Sequence, residues 1–124
     1  MPREKDVIAC LAEEFAACRS FLQAMGDETR QHLLLAMMQM RQCGDVRVGA
    51  ITQRTHLSRP AVSHHLRILK EAGVLKVRRK GTMNFYSFDK SAVAMRQLQQ
   101  LSARAVALMA QLPEDEDDSD WKDE

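Results

Sequence analysis

The sequence predicts a mostly α-helical domain with a single small β-hairpin, in the order α-α-α-α-β-β-α. Three observations carry this reading. Apolar residues recur at steps of three and four through most of the chain. Two short segments of that kind flank the stretch HLS, residues 56–58, which has the length of a tight turn. Directly afterwards the pattern changes to alternation on either side of a Gly-Thr pair, as in a hairpin.

Each element can be justified in turn. Ile8, Leu11, Phe15, Cys18, Leu22 and Met25 mark one face of a first helix for five turns, and Gly26 ends it. Asp27 caps the second helix, DETRQHLLLAMMQM, whose run from Leu33 to Met40 is nearly all apolar and places it centrally. Its methionines fill gaps in a core. RQCGD breaks this helix, and DVRVGAITQRT follows as a short third one, with Val46, Ala50 and Ile51 at helical spacing. Ser58 caps the fourth, and Pro60 lies in its first turn, where a missing N–H costs nothing. Ala61, Val62, Leu66 and Leu69 supply its buried stripe, and Gly73 stops it. VLKVRRK, GT and MNFYSF form the hairpin, with Phe85, Tyr86 and Phe88 anchoring it to the core. Asp89 caps a last helix carrying Ala94, Leu98, Leu101, Ala105, Leu108 and Leu112, and Pro113 closes it. Residues 1–112 thus read as one domain. The stretch PEDEDDSDWKDE, residues 113–124, has too little apolar surface to order itself and reads as a disordered acidic tail.

Composition narrows the function. The 124 residues contain no apolar run of membrane-spanning length, and MPREKDVIAC lacks the apolar centre of a signal peptide. Three cysteines, an odd number without CxxC spacing, suit a reducing cytoplasm better than a disulfide framework. The net charge of +1 conceals a segregation: residues 113–124 hold eight acids and one lysine, leaving 17 basic and nine acidic side chains in the rest. Nine of those basic residues lie between Val46 and Phe88, beside one acid, Glu71. Charge confined in this way marks a surface for a polyanion. No phosphate-cradling glycine loop, no paired carboxylates near a histidine and no nucleophile elbow are present, so an enzyme is not expected.

Helix, short turn, helix and basic hairpin together make a winged helix-turn-helix. The major groove of B-DNA admits one helix, and side chains near its N-terminus read the base edges. The DNA-facing candidates on the fourth helix are Ser58, Arg59, Ala61, Ser63, His64, Arg67 and Lys70. His64 and His65 diverge by about 100° on a helix. His64 is assigned to the groove, and His65 to its support or to a phosphate. Arg78, Arg79, Lys80 and Thr82 on the hairpin are placed to reach flanking backbone or the minor groove. The alternative is an interaction module that kept the scaffold without binding DNA. The cluster of Arg78, Arg79 and Lys80 speaks against it.

MGDETRQHLLLAM followed by LSRPAVSHHLRILKEAGVLKVRRKGTMNFYSF resembles the ArsR/SmtB-type family of small bacterial winged-helix repressors, over roughly Ala24 to Phe88. The resemblance implies a homodimer joined through the first and last helices, bound to an imperfect palindromic operator in double-stranded DNA. An inducer, often a soft metal ion or a redox change at cysteines, would release it. Independently, the long apolar stripes of the terminal helices exceed what one small domain must cover. Leu11, Phe15, Cys18, Leu22, Leu98, Leu101, Ala105 and Leu108 are the candidate dimer-interface residues.

The inducer is where this chain departs from the family. The paired cysteines of the family's thiolate site fall, by alignment on DVRVGAI, at Arg47 and Gly49. The last helix, which holds the other familiar metal site, has Asp89 but no histidine. No metal site and no cofactor are therefore assigned, although a soft metal ion at thiols stays open. Cys10 and Cys18 would lie about 12 Å apart along one helix, too far to share a disulfide or a metal. The candidate sensor thiols rank Cys43 first, beside Gly44 and between Arg41 and Arg47, then Cys10, then Cys18 on the apolar stripe.

Overall fold

Leu33, Met37, Ile51, Val62, Leu66 and Leu69 are fully buried, and the stripes predicted on the second, third and fourth helices converge on them. The computed structural model describes residues 3–40 and 45–114. In order, these form α1 (Glu4–Met25), α2 (Glu28–Gln39), β1 (Val46–Arg47), α3 (Val48–Thr55), α4 (Arg59–Glu71), β2 (Leu75–Lys80), β3 (Met83–Phe88) and α5 (Val93–Gln111). The main core lies where α2, α3, α4 and the sheet meet. A thinner apolar layer, built on Cys18, Phe21, Ala94 and Leu101, belongs to α1 and α5, which lie against each other.

The local chemistry sets the element ends. Asp27 accepts the backbone N–H of Arg30 at 3.0 Å and opens α2. Ser58 accepts the N–H of Ala61 at 3.2 Å and opens α4. Gly73 has φ +81°, and the N–H groups of Gly73 and Val74 bond the carbonyls of Lys70 and Leu69 at 3.1 and 3.0 Å. This is a Schellman motif, which needs a residue free to adopt positive φ just beyond the helix. In the two-residue loop between β2 and β3, Gly81 has φ +64° while Thr82 is not left-handed. That pattern is a II′ turn, whose twist matches the flanking strands. Leu112 is extended at φ −70° and ψ 143°, as a residue before proline prefers.

Three expectations are corrected. The third helix does not begin at Asp45. Val46 and Arg47 form a short strand antiparallel to Tyr86 and Phe85, so the sheet has three strands in the order β1-β3-β2. Val46 and Tyr86 are buried, and the gain from covering both draws the chain out of the helix. Asp89 does not cap α5. Its carboxylate accepts the N–H and the hydroxyl of Ser91 at 3.0 and 2.7 Å, and Ala92, at φ +53°, leads into the helix instead. A short acid that bonds backbone two residues ahead makes a turn of its own. Cys18 and Leu101 do not face outward as interface residues. They are 0% and 5% exposed, covered by the contact of α1 with α5 within the chain. Leu11, Leu22, Leu98, Ala105 and Leu108 are half-buried in the same layer.

Several large apolar side chains of α1 and α5 remain open. Ile8 and Phe15 on α1 are about half exposed, as are Val93 and Met95 on α5, and Val106 and Met109 are more than two-thirds open. The inner side carries one ion pair, Glu14 with Arg104, and Glu14 Oε2 is buried without a hydrogen-bond partner among the described residues.

Candidate nucleic-acid interface

The buried residues of α4 are Val62, Leu66 and Leu69, so its opposite face is fixed by helical geometry. His64 and Arg67 stand exposed on it, Arg59 and Lys70 are exposed along its flank, and Ser58 lies at its start. Ser63 and Ala61 are half-buried at its edge. Because Ser58 and Pro60 hold the first turn, the N-terminal half of α4 is presented in one orientation. Its stop is equally fixed, through Gly73.

The hairpin rises beside it. Register pairs Leu75 with Phe88, Val77 with Tyr86 and Arg79 with Asn84, so these share one face. Lys76, Arg78 and Lys80 share the other, with Ser87, Phe85 and Met83. The three wing cations therefore do not act alike. Arg78 forms an ion pair with Asp45, ahead of β1. Arg79 turns back, its Nε donating to the Gly81 carbonyl at 3.2 Å. Lys80 and Thr82 are exposed at the tip. Tyr86 is buried, and Phe85 and Phe88 are half-buried, so the aromatic residues seat the hairpin.

Between the wing tip, the start of α3 and the start of α4 lies an open cleft of about 350 Å³. Arg47, Gln53, Arg59, Ser63, Thr82 and Asn84 provide its polar walls. Among the described residues, the backbone N–H groups in the first turn of α3 have no side-chain cap. Cationic and hydrogen-bonding groups converging with free amides suit a phosphodiester. Sequence reasoning placed Arg59, Ser63 and Thr82 here but missed Arg47, Gln53 and Asn84. The one available signal was that Arg47 opens the basic segment.

His64 and His65 part company as their spacing requires. The rings are 5.9 Å apart and tilted by 56°. His64 is exposed, whereas His65 is half-buried, with Nδ1 3.3 Å from the Arg30 guanidinium. Asp27 lies in the same cluster. The Arg30 backbone N–H, with help from its guanidinium, holds the Asp27 carboxyl below the ordinary range.

The sensor candidates separate too. Cys10 is exposed and Cys18 is buried. Cys43 lies outside the described residues, as does the acidic stretch beyond Glu114. Among the described residues, no three His, Cys, Asp or Glu side chains come together as a metal site would require. No described helix is long and apolar enough to cross a membrane.

Known proteins resemble this chain in sequence and in fold. The sequence model of the family described as "Bacterial regulatory protein, arsR family" matches residues 27–77, from the cap of α2 into β2. An HTH-type transcriptional regulator of Methanocaldococcus jannaschii is 36% identical over 74 residues, 60% of this chain and 80% of that protein. The transcriptional repressor SdpR of Bacillus subtilis is 35% identical over 71 residues, 57% of this chain and 74% of that one. The fold also matches the solution structure of a homodimeric winged helix-turn-helix DNA-binding domain from Mycobacterium bovis. The TM-score is 0.50 at 23% identity, over 89% of this chain and 95% of that one.

Proposed function

The chain belongs to the arsR family of bacterial regulatory proteins and is a DNA-binding transcriptional regulator of that type; from that premise we propose that it is a homodimeric repressor of an imperfect palindrome, released by a thiol-directed signal. The observation that carries the reading is the exposed surface of α4, where Arg59, His64, Arg67 and Lys70 stand beside the polar cleft. In this reading His64 and Arg67 meet base edges, while Arg47, Arg59 and Lys80 meet phosphates. Arg78 and Arg79 join them once DNA competes with Asp45 and the Gly81 carbonyl. The protein is a regulator rather than an enzyme and acts in the cytoplasm. Residues 1–112 read DNA and dimerise, and residues 113–124 add a strongly acidic sequence.

The dimer is supported by the exposed apolar residues of α1 and α5. A two-fold pair of protomers would set two copies of α4 about one helical turn apart, ~34 Å. The repressor SdpR and the homodimeric Mycobacterium bovis domain lend support to both halves of the reading.

Salt dependence tests the DNA reading. If each dimer neutralises about seven phosphates, log K should fall against log salt with a slope near −6, and one shallower than about −2 refutes it. The signal is tested on cysteine variants. Cys43→Ser, or Cys10→Ser, should bind operator normally yet stay bound in peroxide or arsenite. A parent protein that ignores both reagents rules out the thiol signal.

A further inference from the structure

Arg30 sits in α2, and its side chain is 13% exposed. Its Nε donates to the Ala24 carbonyl at 2.7 Å and its Nη2 to the Gln23 carbonyl at 3.1 Å. Both carbonyls belong to the last turn of α1, where helical partners run out. Its Nη1 lies 3.8 Å from Asp27 Oδ2 and 3.3 Å from His65 Nδ1. A guanidinium has donors and no acceptor, so His65 Nδ1 must offer a lone pair and the neutral ring must carry its proton on Nε2. One planar fork thus ties the end of α1, the start of α2 and the side of α4.

Two of these bonds suffice to finish α1. The reach to His65 does something else: it connects the helix carrying the exposed Phe15 to the helix carrying the exposed His64 and Arg67. We propose that Arg30 is a positioning residue for DNA recognition, holding α4 through His65 at a fixed attitude to α1 and so setting the spacing at which the two copies of α4 fit their half-sites. The inference rests on the two-half-site reading above. The rigidity of the fork matters, because a lysine ammonium could keep the charge but not three directed bonds.

The His65 variants of the full chain carry the test, since they leave the Arg30 bonds to α1 in place. His65→Leu removes the acceptor. His65→Asn returns an oxygen near the position of Nδ1. The probe is a duplex selected by the wild-type protein from random sequence, remade with one base pair added or removed at its centre. Each such change rotates the half-sites by about 34° and moves them by ~3.4 Å. Wild type should prefer its own spacing by about tenfold, a typical penalty for one wrong feature in a site. His65→Leu should lose most of that preference while its salt slope and non-specific affinity stay as in wild type. His65→Asn should restore the preference.

Unchanged discrimination in His65→Leu overturns the inference, as does an Asn variant that behaves like Leu. A uniform loss of affinity with a shallower salt slope also overturns it, since the ring would then be a phosphate contact. Imidazole nitrogen NMR of the free protein gives a reading independent of DNA. It should find the Nε2–H tautomer at His65, with shifts that move in Arg30→Lys; the Nδ1–H tautomer refutes the link. A wild type indifferent to spacing removes the two-half-site reading and this inference together, whereas a spacing-sensitive wild type matched by His65→Leu removes only the inference.

Discussion

The helix-turn-helix half and the terminal-helix half of this protein solve opposite problems. In α4, three large apolar side chains point inward and Ile68 is half-buried beside them. Val62, Leu66 and Leu69 are fully covered within 13 residues, and what remains outside is cationic or polar. In α1 and α5 the balance reverses. α1 has 22 residues and buries three, α5 has 19 and buries two, and large apolar side chains lie open on both. α4 has its large apolar side chains wholly or half covered within one chain, although Leu35 and Met38 on α2 are about half exposed. The terminal-helix half leaves apolar surface in water, which is the condition for recruiting a second copy.

The comparison can be broken most severely inside α5. Leu101→Glu puts a carboxylate where the chain already covers the side chain, and should cost about 4 kcal/mol or more, seen as an early melt in circular dichroism. Val106→Glu, five residues on but open, should leave the protomer folded. It should convert dimer to monomer in light scattering and weaken operator binding on the order of a hundredfold. If both variants behave alike, the inner and outer sides of α5 have not been distinguished correctly.

Leu66→Ala probes the helix-turn-helix half. A fully buried leucine lost from the main core should cost about 3 kcal/mol in denaturant unfolding, without changing the association state. A smaller loss, under about 1 kcal/mol, would mean that the site collapses onto the gap.

Within the DNA-facing surface the effects should be smaller and unequal. On the proposed reading of base edges by His64, His64→Ala should cost about 1–3 kcal/mol and relax sequence preference. Arg79→Ala should weaken all duplexes similarly. Competition binding with matched and scrambled duplexes separates the two, and a His64 variant with unaltered preference would take that residue off the groove.

The smallest effect concerns acid. Asp27 has a folded pKa below its ordinary value of 3.8, chiefly through the Arg30 backbone N–H. The stability it supplies is therefore complete above that value and is lost as pH falls through the lower, folded pKa. Melting temperatures between pH 5 and pH 2 should drop less steeply in Asp27→Asn, which keeps a cap but does not titrate. Identical slopes would show that Asp27 contributes nothing to acid sensitivity.

Much of the reading half was legible because its signals are local. Ser58, Pro60, the stripe through Leu69 and Gly73 define α4 within sixteen residues, and the Gly-Thr loop defines the hairpin. Capping, backbone φ and 3.6-residue periodicity act between neighbours, so sequence spacing reports them directly. The errors fall where the deciding partner is distant. Val46 and Arg47 looked helical because their strand partners, Tyr86 and Phe85, lie far along the chain. Asp89 is the exception: its competing partner, Ser91, is only two residues away, and spacing alone does not rank a local turn against a cap.

Sequence alone therefore determined the helix count, the basic hairpin, the ends of α4 and which of two adjacent histidines faces outward. Tertiary structure decided three other things. It chose which apolar residues of α1 and α5 are spent inside the chain, covering Cys18, Phe21 and Leu101 while leaving Phe15 and Val106 open. It diverted Arg78 to Asp45. It brought Arg30 to His65, 35 residues away. The physical reason is common to all three: periodicity shows that a side chain is apolar or charged, but burial and pairing depend on what another element places opposite it.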